Sequence, residues 1–226
     1  GCILLIGPPI DPSAVAPLVE VGMPFVLVNR HFGETPVNCV VFDKGKSNRD
    51  AVHHLARLGH RRMALLLPNP ETSNVADRRK GWSDGVNDCH FDPADAPIIR
   101  YVNGCAEVEH TLMPRLLTEG LPGGRGIPTA MVAFDDDVAA VILRAAARAG
   151  VAVPGRLSVI GFTNIIAPHT NPALCSHELY PFEAGVAAAR LLAQLVRREV
   201  TDPQRITFTP TFVCRDSCGP APDQWR

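Results

Sequence analysis

Short, wholly apolar runs alternate along this chain with longer stretches whose apolar positions recur every three or four residues. The apolar runs fall at 2–6, 25–28, 39–42, 63–67, 98–102, 130–134, 158–162 and 206–213, and each predicts a β-strand. The helical pattern occupies 14–21, 47–58, 78–88, 108–118, 137–149 and 182–198. Strands that are apolar on both faces and separated by helices predict an α/β fold, with parallel sheet covered on each side. Punctuation agrees. Gly22, Gly59 and Gly150 each follow a helical pattern, where a left-handed cap favours glycine, and Pro24 and Pro154 then block continuation.

Composition narrows function more than fold. A chain of 226 residues suffices for one large α/β domain or two small ones. With 22 Lys and Arg against 23 Asp and Glu, the net charge is −1, so the chain carries no general attraction for nucleic acid or an anionic membrane. No apolar run approaches the ~20 residues of a membrane helix, and no signal peptide is visible. The seven cysteines are odd in number, mostly sit beside apolar runs, and read as free thiols of a reducing cytoplasm. Cys214 and Cys218 look like half a metal site, but no second Cys or His pair has matching spacing. The chain opens abruptly on its first strand, which predicts that an N-terminal portion precedes it.

The stretch AFDDDVAA, residues 133–140, sets three carboxylates between a strand and a helix. In open α/β sheets ligands gather at the carboxyl ends of strands. Asp136 and Asp137 are accounted for by helix N-terminal chemistry, which leaves Asp135 to face a crevice. A metal-dependent hydrolase would need further carboxylates at neighbouring strand ends. Those ends supply Asn29 and Arg30, or Thr163 and Asn164, and only Asp43 adds an acid. There is no Gly-x-Ser-x-Gly elbow, P-loop or dinucleotide fingerprint. No catalytic residue, metal or cofactor is therefore assigned. His53 and His54 point about 100° apart on a helix, His60 lies past Gly59, and all three read as structural.

Six phrases, in order along nearly the whole chain, resemble the lactose-repressor (LacI/GalR) family. They are AVHHLARLGHRRMA at 51–64, RRKGW at 78–82, PTAMVAFDD at 128–136, GVAVPGRLSVIGF at 150–162, PALCS at 172–176 and VCRDS at 213–217. The resemblance implies a periplasmic-binding-protein-like pair of α/β subdomains with an effector in a cleft. It implies subdomain one at 1–42 and 180–209 and subdomain two at 43–179 and 210–226, with crossings near 42–43, 179–180 and 209–210. It further implies a cytoplasmic homodimer that makes and breaks no bond. Its small-molecule effector, a sugar, polyol or related metabolite, would control operator DNA binding through an N-terminal helix-turn-helix missing here.

The family's pattern transfers residue by residue. Arg78 matches the arginine that grips the effector, and its fork of donors suits carboxylates, phosphates or vicinal hydroxyls. Thr72 and Asn74 match positions that supply polar contacts from a loop. Asp135 stands where the family usually has asparagine, so an acceptor-only group replaces a donor-acceptor. Thr163 and Asn164 replace acids that accept from sugar hydroxyls. Asn29 lies near a family aspartate, while Trp82 and Phe134 either stack on a ligand ring or belong to the core. The competing readings are an exported solute-binding protein of a sugar transporter and a metal-dependent hydrolase using 135–137.

Overall fold

The computed structural model describes residues 1–6, 12–69 and 71–222. The first half of the chain forms β1 (Ile3–Ile6), α1 (Pro12–Glu20), β2 (Phe25–Val28), β3 (Cys39–Phe42), α2 (Lys44–Arg57), β4 (Met63–Pro68), α3 (Ser73–Asp88) and β5 (Ile98–Tyr101). The second half forms α4 (Gly104–Glu107), α5 (Met113–Thr118), β6 (Ala130–Val132), α6 (Asp136–Arg148), β7 (Ser158–Ile160), β8 (Ser176–Glu178), α7 (Pro181–Val196), β9 (Arg205–Phe208) and β10 (Thr211–Val213).

These elements divide into two compact units. The first comprises Gly1–Lys44, Thr72–Asp77 and Leu179–Pro210, and the second Gly45–Glu71, Arg78–Glu178 and Thr211–Arg226. In the first unit β1, β2, β3 and β9 form one parallel sheet in that order. Val15, Leu27, Cys39 and Val41 cluster on one side of it, and α7 packs on the sheet through buried Ala184, Ala188, Leu191 and Leu192. In the second unit β5, β4, β6 and β7 form another parallel sheet, and β8 pairs antiparallel with β10. All of Met63 through Leu67 is fully buried, which explains why β4 reads as a continuous apolar run. Its core unites Leu66, Met131, Ile142, Val159 and Met113. No helix among the described residues is long and apolar enough to cross a membrane.

Four local expectations fail, each for a physical reason. The single strand expected at 206–213 is two strands in different sheets, because Pro210 has no N–H to continue a ladder. Strand β8 was not predicted, since Ser-His-Glu carries no apolar pattern, yet Ser176 and His177 are buried. Helix α3 begins at Ser73 rather than Arg78, started by the Thr72 hydroxyl accepting from the Val75 N–H at 3.4 Å. The helix expected at 108–118 contains a π-helical stretch at Val108–Leu112, where Met113 N–H donates to the Val108 carbonyl. Pro114 follows and cannot donate back to His110, so the wider turn costs nothing there.

The glycine caps stand as expected: Gly22, Gly59 and Gly150 all have positive φ, at 62°, 89° and 68°. His60 is a core histidine. It is fully buried, with its ring nitrogens 2.9 Å from the Thr129 hydroxyl and 3.0 Å from both the Ser158 hydroxyl and the Gly219 carbonyl. His53 faces Asp88 at 3.0 Å, and His54 lies against Phe212.

Candidate functional site

Chemistry collects at strand carboxyl ends in each unit. In the second unit Arg78 is 2% exposed, with its guanidinium carbon 3.7 Å above the Phe162 ring and 4.6 Å above Phe134. Both rings lie two residues past a strand, Phe134 after β6 and Phe162 after β7. Two aromatic faces on one buried cation fix the planar fork in orientation, each worth ~1–2 kcal/mol when water is excluded. Gly81 allows α3 to lie here: a Cβ on it would come within 1.9 Å of the Gly45 carbonyl oxygen on α2. Trp82 is core, donating its indole N–H to the Ala96 carbonyl at 2.8 Å. The Arg-x-x-Gly-Trp phrase thus encodes one packing arrangement that sets the height of Arg78.

The carboxylates are divided differently from the sequence expectation. Asp135 is the N-cap of α6, accepting from the Val138 N–H at 2.9 Å. Asp136, expected to act only on its own helix, is 2% exposed and organises the next loop. It accepts from the N–H groups of Ile165, Ile166 and Ala167 at 2.9, 3.3 and 3.3 Å, and from the Ser176 hydroxyl at 2.7 Å. The correction follows from geometry. An N-cap residue is extended, as Asp135 is at φ −150°, so its side chain folds back over the first turn while the next side chain leaves sideways. Burial pushes the Asp135 carboxyl up, opposed by the Val138 N–H, and Asp137 repels it further. The nearby Tyr101 phenol is pushed up by burial and then by the charge of Asp135.

The loop held by Asp136 presents Thr163 and Asn164. Thr163 has φ 118°, a conformation that a β-branched residue rarely adopts, and it is tied down by donating its N–H to the His177 carbonyl at 3.1 Å. Asn164, at φ 57°, donates its side-chain amide to Glu178 at 2.8 Å. Strain of this kind concentrates where a loop must hold groups for a ligand. His177 stacks on Phe162 at 5.3 Å and on Phe212 at 5.0 Å. Burial, then the positive charge of Arg78, push its imidazole down to about 4.

The first unit holds a second set. Lys44, 3% exposed, donates its ammonium to the side-chain carbonyls of Asn29 and, at 2.9 Å, Asn74, and lies 5.3 Å from the Phe42 ring centroid. With both amide oxygens accepting from Lys44, Asn29 and Asn74 keep chiefly their NH2 donors to offer. Asn29 adopts φ 65°, which asparagine tolerates. Beside it His31 faces Asp77 at 2.9 Å. The expected residues therefore assemble as Arg78, Phe134, Asp135 and Thr163 in one unit and Asn29, Thr72 and Asn74 in the other. Lys44, Phe162 and His177 were missed. Lys44 and Phe162 stand at strand ends, which is the signal that would have found them, whereas β8 leaves no pattern to find His177. Among the described residues no three His, Cys, Asp or Glu side chains are grouped to hold a metal ion.

The two strand-end clusters, each on a parallel sheet covered by helices, define a protein of the periplasmic-binding-protein-like class. A family model described as a periplasmic binding protein-like domain matches residues 52–218, and the chain belongs to that family. It is 28% identical over 209 residues to the HTH-type transcriptional regulator DegA of Bacillus subtilis, covering 92% of this chain and 60% of the relative. It is 31% identical over 220 residues to an HTH-type transcriptional regulator in the aml 5′ region of Streptomyces limosus, covering 95% and 59%. The chain thus spans about three fifths of the length of these relatives. Among solved structures it is similar to a LacI family transcriptional regulator from Enterococcus faecium with bound ribose. That match has a TM-score of 0.84 at 22% identity, covering 96% of this chain and 80% of that one.

Proposed function

We infer that this chain is the effector-binding core of a LacI/GalR-type transcriptional regulator, taking a sugar, polyol or related metabolite. The observation that carries the reading is Arg78, buried and stacked between Phe134 and Phe162 at the strand ends of the second unit. A guanidinium oriented in this way is a recognition group for vicinal hydroxyls or an anionic substituent. Asp135 supplies an acceptor in the same unit, Thr163 is held by a strained loop, and Asn29, Thr72 and Asn74 are the polar groups of the first unit. Two subdomains, near 1–42 with 180–209 and 43–179 with 210–226, carry these sets, with the segment Thr72–Asp77 packing as part of the first. The regulator acts as a homodimer and reaches operator DNA through a helix-turn-helix segment, the latter in keeping with relatives named as HTH-type transcriptional regulators.

The mechanism is differential binding. An effector that binds one conformation of the regulator more tightly shifts the population, and that shift changes affinity for DNA reciprocally. No bond is made or broken, so no catalytic residue is required. Asp136, which would head a hydrolytic metal site, already spends its lone pairs on three backbone N–H groups and Ser176. Relatives named as regulators favour this reading over a transporter's solute-binding protein.

The test is thermal-shift and calorimetric screening of sugars, polyols and nucleosides. A true effector at 100 times its Kd stabilises the fold by about 2.7 kcal/mol. Arg78→Lys keeps the charge but loses the fork, and it weakens that ligand at least about tenfold. Equal affinity in Arg78→Lys and the unsubstituted chain would remove Arg78 from the site.

A further inference from the structure

Three thiols meet in the second unit, Cys175 and, from a distant stretch of sequence, Cys214 and Cys218. Strands β8 and β10 pair antiparallel with Val213 opposite Ser176, so one step further along the ladder Cys214 stands opposite Cys175. Directly opposed residues in such a pair have Cα atoms about 4.5–5.5 Å apart. A disulfide spans about 4.4–6.8 Å between Cα atoms, so the two sulfurs are within closing reach. Contacts agree with the register. Both sulfurs touch the Arg215 carbonyl, Cys175 Sγ at 3.4 Å and Cys214 Sγ at 3.9 Å, and the Arg215 N–H points at Cys175 Sγ from 3.1 Å. Cys218 completes the group, with its thiol hydrogen-bonded to the Cys175 sulfur and 3.5 Å from the Val159 carbonyl. Exposure differs in a useful way: Cys175 is fully buried, whereas Cys214 is exposed.

We propose that Cys175 and Cys214 form an oxidation site for hydroperoxides, closing to a disulfide across the β8–β10 ribbon. Cys214, the most exposed of the three, reacts first. Burial and the neighbouring Cys175 push the Cys214 thiol up, so its thiolate is a minor form. That thiolate attacks a peroxide oxygen, the O–O bond breaks, and the departing hydroxide takes up the proton the thiol released, leaving a sulfenic acid and one water. Cys175 then attacks the Cys214 sulfur as a thiolate, the S–O bond breaks, and hydroxide leaves to take up a proton as the second water. Two thiols are oxidised by two electrons and one hydrogen peroxide is reduced to two waters. Cys175 is prepared for this role: the hydrogen bond from Cys218 chiefly, then backbone and neighbouring side-chain bonds, pull its thiol down, while Cys218 is pushed up and keeps its proton. A buried thiolate needs no access to solvent here, because its target is its neighbour.

The site has a place from which to be felt. The Cys175 carbonyl accepts from the Gly161 N–H at 2.8 Å, and Cys175 bridges Ile160 in parallel, at the root of the loop that carries Thr163. Both ribbon strands also adjoin a unit boundary, at Glu178 and at Thr211. A covalent link at this point ties the loop's anchor strand to β10.

The experiment treats the reduced chain with a small excess of hydrogen peroxide, quenches with an alkylating agent under denaturing conditions, and maps peptides without reduction. The expected result is an intramolecular Cys175–Cys214 peptide that dithiothreitol dissolves, with buried Cys39 left alkylatable. Cys214→Ser, a change at an exposed position that leaves the circular dichroism spectrum unchanged, slows loss of the Cys175 thiol at least about tenfold. In Cys175→Ala a sulfenic acid at Cys214 persists and is trapped by a cyclic dione. Absence of any Cys175 cross-link overturns the proposal. So does a Cys175–Cys218 link that forms equally fast in Cys214→Ser.

Discussion

Asp136 is the residue whose role depends most on its neighbours. Its two oxygens hold three consecutive backbone N–H groups and the Ser176 hydroxyl, with no water needed. Asp136→Asn turns an NH2 toward those donors, and the fold is expected to lose about 3 kcal/mol. Exposed Asp137→Asn should stay within about 0.5 kcal/mol of the unsubstituted chain. Urea unfolding of the pair checks this, and equal midpoints would deny the loop its anchor. Histidines give the pH dependence. Burial lowers His54, His60 and His177, the last from 6.5 to about 4. Each takes up a proton more readily unfolded than folded. Their contribution is therefore complete above about pH 6.5 and is lost as pH falls toward 4. His177 alone accounts for up to about 3 kcal/mol of that loss. His177→Phe, which keeps the stacking on Phe162 and Phe212, should flatten the acid limb of a stability-against-pH curve. A limb of unchanged depth would place the titration elsewhere.

At the scale of elements, helices α2 and α3 meet through glycine. A Cβ on Gly81 would lie 1.9 Å from the Gly45 carbonyl oxygen, and one on Gly85 would lie 2.9 Å from the Val52 Cβ. Both obstacles belong to backbone or to a buried branched side chain, so neither can swing aside. Gly81→Ala should cost about 2–3 kcal/mol and displace Arg78, three residues earlier on the same helix. Denaturant midpoints and effector titration on one sample read the two effects, and a stable variant with full affinity would contradict the packing. The elements legible in sequence were those with room to show a period: β4, α2, α6 and α7 are long enough for apolar spacing to accumulate. Short polar β8 was not legible, because its burial comes from the layers around it rather than from its own side chains.

At the scale of the whole molecule, near-neutral charge constrains what this chain does alone. With net charge −1 it offers no field to recruit phosphates. Fluorescence anisotropy with a labelled duplex at ~50 mM salt should stay flat, and a salt-dependent rise would assign DNA contacts to this part. The sequence by itself determined the α/β class, the glycine-capped helix ends and the family. Each is written in local periodicity or in phrases that stay contiguous. It also placed Phe134, Asp135 and Thr163 at strand ends, because strand ends are visible where apolar runs stop, and singled out Arg78 through the contiguous Arg-x-x-Gly-Trp phrase. Only the tertiary structure decided that Asp135 caps while Asp136 anchors, that Arg78 lies between two rings from different strands, and that Lys44 joins Asn29 to Asn74. Tertiary structure likewise brought Cys175 to Cys214. Those pairings join residues up to dozens of positions apart, and their geometry is set by sheet register and helix approach, which no short window of sequence contains.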